Sequence, residues 1–413
     1  MLTALYADSE GEIFDAPGVQ AVGRIGRENV LLNPADMIPL PEGADLMFLP
    51  GRQALGAENG RILPVKGKVL AAAAILPVGY TRTFLPAFVR EQKAPILPLY
   101  GYAAVALYND QLYVAAVKSD DNDKWHPYHY NTRNLKKKVA SVEKELSGNR
   151  IVAQLAGCSL KWHCCTAQNL FYHRWEAGIP TSPVCNANCF GCISLQPAQC
   201  CPSPQNRIDF RPTAEEIAAV GIYHLASAPE AIISFGQGCE GEPSLAAGEI
   251  AAGVRQIRRA TEKGIININT NAGFTEGIRS IVDAGLDSMR VSIISGIPET
   301  YQAYYRCSYE LADVKASIAY AKSRGVYVSF NMLSFPGLND RPEELAAWEE
   351  LIGETSVDMI QLRNLNIDPD EFLAIMPPAK QPPLGVKAFL RRLSARFPAL
   401  AVGSFSRYLG KNH

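Results

Sequence analysis

The sequence predicts an α/β fold: a partial (β/α)6-type barrel on a parallel sheet, preceded by a small β-rich domain and a helical linker. Three observations predict it. From about residue 180, short apolar runs alternate with amphipathic stretches that close on glycine. Residues 1 to about 130 carry short alternating apolar runs broken by Pro and Gly. Residues 131 to 178 lie between them and read as helical.

The elements follow in order. In residues 1–130, "AAVALYNDQLYVAAV" (Ala103–Val117) reads as a hairpin turning at Asn109-Asp110, and "ENVLLNPADMIPLPEGADLMFLP" gives further short strands. In the connector, residues 131–178, "LKKKVASVEKELSGNR" is a helix ending near a glycine, and the following stretch keeps helical apolar spacing. The barrel, residues 179–370, opens on the extended segment "GIPTSPV". Its later strands are "AIISF", "IININTNA", "SMRVSII", "VYVSFNML" and "VDMIQLRNLNI". The helices between them end at Gly264, Gly285 and Gly325, and "RPEELAAWEELIGE" is another. Residues 371–413 add "VKAFLRRLSARF" and "ALAVGSF", a last helix and strand completing the barrel. Such alternation implies right-handed crossovers, with ligands at the C-terminal strand ends.

Bulk composition narrows the functional classes. The chain has 413 residues, 47% apolar and 20% charged, an ordinary globular composition. Its net charge of -1 provides no general field for nucleic acid or an anionic membrane. The start lacks a basic, apolar leader, and the most apolar run, Val69–Tyr80, is too short to span a bilayer. The expected location is the cytoplasm. There, ten cysteines read as reduced thiols suited to metal binding or catalysis.

Three of those thiols stand in "PVCNANCFGCIS": Cys185, Cys189 and Cys192, at C-x3-C-x2-C spacing after the first strand. A structural zinc site takes four protein ligands, and so does a closed cubane cluster. Three thiolates on a cubane leave one iron open to a small ligand. The alternative is a zinc or iron-sulfur module completed by another Cys or His.

The spacing and position resemble the radical S-adenosylmethionine (radical SAM) superfamily. The resemblance implies that Cys185, Cys189 and Cys192 hold a [4Fe-4S] cluster whose fourth iron chelates S-adenosylmethionine. Reduction by an external donor of flavodoxin or ferredoxin type would then yield a 5'-deoxyadenosyl radical that abstracts hydrogen from a substrate. One departure is Gly191, where the family usually places an aromatic residue. Further along, "FGQGCEGEP" resembles the family's Gly-Gly-Glu-Pro turn, with Gly241, Glu242 and Pro243 matching and Glu240 in place of the first glycine. Asn269 and Asn271 end the third strand. Ser292 and Ser295 resemble ribose and carboxylate contacts, and Asn331 with Pro336-Gly337 resembles the adenine side. On the sixth strand, Gln361, Arg363 and Asn364 are candidates to face the substrate or cosubstrate.

Cys239 and Arg306 are further candidates, the first for radical or substrate contact, the second to balance a carboxylate. The remaining thiols, Cys158, Cys164, Cys165, Cys200, Cys201 and Cys307, leave room for an auxiliary iron-sulfur cluster, though their default role is packing. The substrate is open. A peptide is one class, because the β-rich domain offers strand addition. Oxidoreductase and transferase chemistry both fit, and a glycyl-radical activating enzyme is a competing reading.

Overall fold

A computed structural model describes residues 1–97, 99–121, 123–195 and 207–410. Seven parallel strands form one sheet in sequence order: Glu176–Gly178, Ile232–Phe235, Ile265–Thr270, Ser288–Ile293, Tyr327–Ser334, Met359–Asn364 and Ala401–Gly403. The first and seventh do not pair, so the barrel is open. Strand-helix alternation in the sequence therefore gives the expected architecture.

The first strand differs from expectation. It begins at Glu176, within the segment read as connector, and its ladder ends at Gly178. The Ile179 amide still donates to the Ser234 carbonyl (2.9 Å), and the residues after it bond elsewhere. Ser182 and Val184 carbonyls accept from the Gly241 and Glu242 amides (2.7 and 2.8 Å). The cysteine loop is thus laced to the second strand's turn rather than to its ladder.

The connector forms α1 (Leu135–Glu145), α2 (Arg150–Lys161) and α3 (Cys165–Tyr172). Asn149 caps α2, its side chain accepting from the Ile151 and Val152 amides. In the barrel, α4 (Ala214–Ser227) starts with a capping box between Thr213 and Glu216. It is followed by α5 (Ala247–Ala260) and α6 (Thr275–Asp283). The long helical stretch after the fourth strand is two helices, α7 (Pro298–Tyr305) and α8 (Leu311–Ser323). They separate where Arg306 adopts φ 47°. Then come α9 (Pro342–Thr355), the short α10 (Pro369–Ile375), which the sequence reading missed, and α11 (Val386–Arg396).

The N-terminal region is antiparallel. Long strands Ile13–Ile25 and Asp45–Glu58 pair with each other and with shorter neighbours. The hairpin is where the sequence placed it: Val105–Tyr108 pairs with Gln111–Val114, and Asn109 and Asp110 both take positive φ.

This region docks on the barrel through arginines. Arg24 pairs with Asp370 (2.7 Å), Arg27 donates to the Leu373 carbonyl (2.7 Å), and Arg90 pairs with Glu371 (2.9 Å). Arg82 donates to the Leu365 and Tyr100 carbonyls. Arg52 pairs with Asp368, their side chains 0% and 1% exposed, and Asp368 also accepts from the Leu97 amide (3.0 Å). Gly337, at φ 90°, packs on Gly26 so closely that a Cβ would lie 2.1 Å from the Gly26 nitrogen. One hydrophobic core runs through both parts, from Leu49 and Tyr100 to Ile268 and Phe372.

Breaking a buried ion pair leaves an unmatched charge. Arg52→Met or Asp368→Asn alone should cost about 3–5 kcal/mol. The pair replaced together by apolar residues should cost much less. Guanidinium denaturation of the three variants checks this, and non-additivity is the expected signature.

Candidate active site

Cys185, Cys189 and Cys192 open into a cavity of about 390 Å³ at the C-terminal ends of the barrel strands. Helix α7 sets the loop that carries them. Its last carbonyls, on Tyr304 and Tyr305, lack helical partners and accept from the Phe190 and Asn188 amides (2.9 and 3.0 Å). Arg306 lies over the Phe190 ring at 5.0 Å. Across the loop, Arg207 donates to Ser194 Oγ (2.8 Å) and approaches Cys192 Sγ (3.7 Å). Asn271 reaches the Asn186 side chain (2.7 Å), tying the third strand to the same loop.

Burial pushes the Cys185 thiol up to about 11, and pushes Cys189 further, with Cys185 and Cys192 adding to it. These thiols are protonated until a cationic centre draws their protons off. Among the described residues, no three Cys, His, Asp or Glu side chains gather into a cage for one ion. A single zinc needs its sulfurs about 2.3 Å from one point. A cluster spreads its ligands over separate irons. Glu242 also lines the cavity, but among the described lining residues there is no further Cys or His. Three thiols on one cavity wall are donors that a [4Fe-4S] cluster would accept.

The turn after the second strand is held by Glu240. Its Oε1 accepts from the Gly236 and Gln237 amides (both 2.7 Å). Its Oε2 accepts from the Thr181 amide and hydroxyl and the Ser182 amide (2.6, 2.9 and 2.9 Å). Burial pushes this carboxyl up to about 7, while the surrounding donors pull it down. Glycine is required beside it: a Cβ on Gly236 would meet the Asn269 carbonyl at 1.8 Å, and one on Gly241 the Val184 carbonyl at 2.0 Å. Glu242 is a strut of the same turn. It accepts from Thr270 Oγ1, the Asn271 amide (2.8 Å) and the Ser244 amide (3.0 Å).

The cavity brings together most of the residues singled out from sequence. Gly241, Glu242, Asn269, Asn271, Ser292 and Asn331 line it with the three cysteines. Others lie elsewhere. Ser295 is buried, donating to Glu344 (2.6 Å) and accepting from the Ile297 amide, so it holds the loop above α9. Cys239 is buried and hydrogen-bonded to Cys158. Asn364 lies on the cavity rim, but its amide bonds Tyr80 and Arg82 of the N-terminal region (2.9 and 3.0 Å). Arg363 shares the in-facing parity of Gln361 and sits inside the barrel. Cys307 meets Gln302 Oε1 (3.0 Å), and Cys164 and Cys165 flank the start of α3. Cys200 and Cys201 lie outside the described residues, and nothing described supports an auxiliary cluster.

Gly191 has a steric reason. A Cβ there would lie 2.4 Å from Ile367 Cδ1 and 3.1 Å from the Tyr304 hydroxyl. Tyr304 instead supplies an aromatic ring to the cavity wall. Sequence reasoning missed Tyr304, Arg207 and Arg290. Only Arg290 had a signal, the period-two face it shares with Ser292. A larger cavity, about 590 Å³, lies between α7, α8 and α9, lined by Tyr301, Gln302 and Lys315, with no cysteine among its described walls.

Residues 179–348 match the family model of the radical SAM superfamily. This segment is a domain of that superfamily. Its members are enzymes, so this chain is a radical SAM enzyme, and the superfamily implies an iron-sulfur cluster and SAM. No curated protein matches the sequence. Similar solved structures include methylornithine synthase, at 14% identity and TM-score 0.38, covering 65% of this chain and 73% of that one. A radical SAM methyltransferase from Sphaerobacter thermophilus has 16% identity and TM-score 0.39, covering 55% and 64%. Streptococcus suis SuiB bound to precursor peptide SuiA has 12% identity and TM-score 0.40, covering 74% and 70%. Among the described residues, no helix is long and apolar enough to cross a membrane.

Glu240→Gln would turn an NH2 toward amide donors that now meet carboxylate oxygen. The expected loss is about 1–3 kcal/mol of stability, read by chemical denaturation, with Glu240→Asp intermediate.

Proposed function

We propose that Cys185, Cys189 and Cys192 hold a [4Fe-4S] cluster and that the cavity beside them receives S-adenosylmethionine. The carrying observation is three thiols facing one cavity whose described walls hold no other Cys or His. When bound and reduced, the cluster would supply one electron to the sulfonium, releasing methionine and a 5'-deoxyadenosyl radical that takes hydrogen from the substrate.

The chain's own residues would bind and orient. Close backbone approach at Gly236 and Gly241 leaves peptide groups at the cavity wall, suited to the polar methionyl end. Asn269, Asn271, Ser292 and Asn331 offer amides and a hydroxyl to a nucleoside, and Tyr304 offers a ring face. Arg207 reaches both Ser194 Oγ and Cys192 Sγ and would orient that end of the loop. An electron donor of flavodoxin or ferredoxin type would act from outside. A peptide substrate would meet the β-rich region, where, among the described residues, Arg61–Pro64 pairs only with Asp45–Glu58.

Anaerobic reconstitution with iron and sulfide, then dithionite and S-adenosylmethionine, tests the proposal. Wild type should form 5'-deoxyadenosine, and Cys189→Ala should lose it by at least a hundredfold. A colourless protein retaining zinc would favour the metal-module reading, and a glycyl radical raised on a partner would favour the activating-enzyme reading. Because Cys185 and Cys189 titrate above their usual range, their deprotonation becomes easier as pH rises. Cluster loading, read as iron per chain, should be more complete near pH 8.5 than near pH 6.5.

A further inference from the structure

The inside of the barrel is polar. Ser234 donates to Glu176 on the first strand (2.6 Å), Asn267 to Ser234 (3.0 Å), and Ser288 to Asn267 (2.8 Å). On the far side, Gln361 donates to Ser329 (3.1 Å) and accepts from Arg290 Nη1 (3.3 Å). Each of these groups has a described partner. Two cations, Arg290 and Arg363, make no described ion pair there.

Arg290 lines the cysteine cavity from the fourth strand. Its Nε is buried with no hydrogen-bond partner, and among the described residues no carboxylate lies within ion-pair distance. Arg363, on the sixth strand, makes no described hydrogen bond or ion pair. Burial pushes Arg363 down to about 10, and the nearby Arg290 charge adds to that, opposed by Glu176 and Asp120. Asp120 is already bound by Arg407 (3.1 Å) and the Ser404 amide (2.9 Å). Two guanidinium groups therefore share one available carboxylate, Glu176, which accepts from Ser234 and Ser406. Both side chains are half-buried, and an anion between them would balance their shared positive charge.

We propose that Arg290 and Arg363 form a receptor for an oxyanion, a carboxylate or phosphate carried by the substrate, at the floor of the active-site cavity. This names a substrate class for the radical SAM reading of that cavity and rests on it. The planar forks of two arginines suit bidentate oxyanion recognition. Their depth in the barrel, with Arg290 two residues below Ser292 on the same strand face, places the anion inward of the strand ends. The substrate then enters acidic group first and leaves its other end toward the cysteine loop.

The test uses the full chain, with and without its reconstituted cluster, and inorganic phosphate and succinate as probes. Calorimetric titration of wild type should show saturable binding at one anion per chain. Arg290→Met and Arg363→Met should each weaken it at least tenfold, and Arg290→Lys should be intermediate. The ligand-free Met variants should melt no lower than wild type, because each removes one of two neighbouring positive charges; arginines serving only as struts would lower the melting temperature. Phosphate binding tenfold or more tighter than succinate assigns a phosphate, and the reverse assigns a carboxylate. The proposal is overturned if wild type binds neither probe, if both Met variants bind like wild type, or if S-adenosylmethionine alone displaces the anion. Failure of the radical reading shows differently, as no iron-sulfur absorbance after reconstitution, and leaves the anion titration standing.

Discussion

One carboxylate holds the site together. Glu240 collects donors from two segments that leave adjacent strands, Thr181–Ser182 and Gly236–Gln237. It stands where relatives by resemblance carry glycine, and the substitution changes how the turn is stabilised. The side chain folds inward and acts as an anionic hub for backbone amides, much as a bound ion would in a nest of N–H groups. The pairing of residues 241–242 with 182–184 follows from that hub, and the cysteine loop begins at the end of the pairing.

From there, local constraints reinforce one another. The free carbonyls at the end of α7 position the middle of the cysteine loop, and the same helix presents Tyr304 to the cavity. The N-terminal region fixes the opposite wall. Its arginines grip the segment after the sixth strand, and Asn364 has both ends of its amide engaged across the interface. Since Asn364, Leu365 and Asn366 form part of the cavity rim, the β-rich region shapes the site without contributing a described lining residue of its own. A buried pair such as Arg52–Asp368 supplies orientation at that interface rather than surplus stability.

Much of this was legible in the sequence, for physical reasons. Strand and helix periods differ, so alternation of apolar runs with glycine-closed helices exposed the parallel sheet. Local turn chemistry exposed the hairpin at Asn109-Asp110. Cysteine spacing and the glycines around residue 241 exposed the cavity's chemical end. What stayed hidden depends on partners distant in the chain. Arg24 meets Asp370 across 346 positions, and no local pattern records that. Beyond the first ladder the Thr181 and Ser182 amides donate to Glu240, a residue the motif comparison treated only as a mismatch. Ser295 reads as one more polar residue near a strand end, yet its hydroxyl donates to Glu344. Arg290 lay in view on the in-facing side of its strand, but that it shares one carboxylate with Arg363 emerges only once the barrel is assembled.

The central claim is that the three-thiol centre keeps one metal position free of protein. Electron-nuclear double resonance on the reduced, reconstituted protein tests it most directly, using S-adenosylmethionine labelled with nitrogen-15 at the methionyl amine. The account predicts a hyperfine coupling from that nitrogen to the cluster. A cluster spectrum unchanged by the labelled molecule, or a coupling from a side-chain nitrogen in its place, would contradict it.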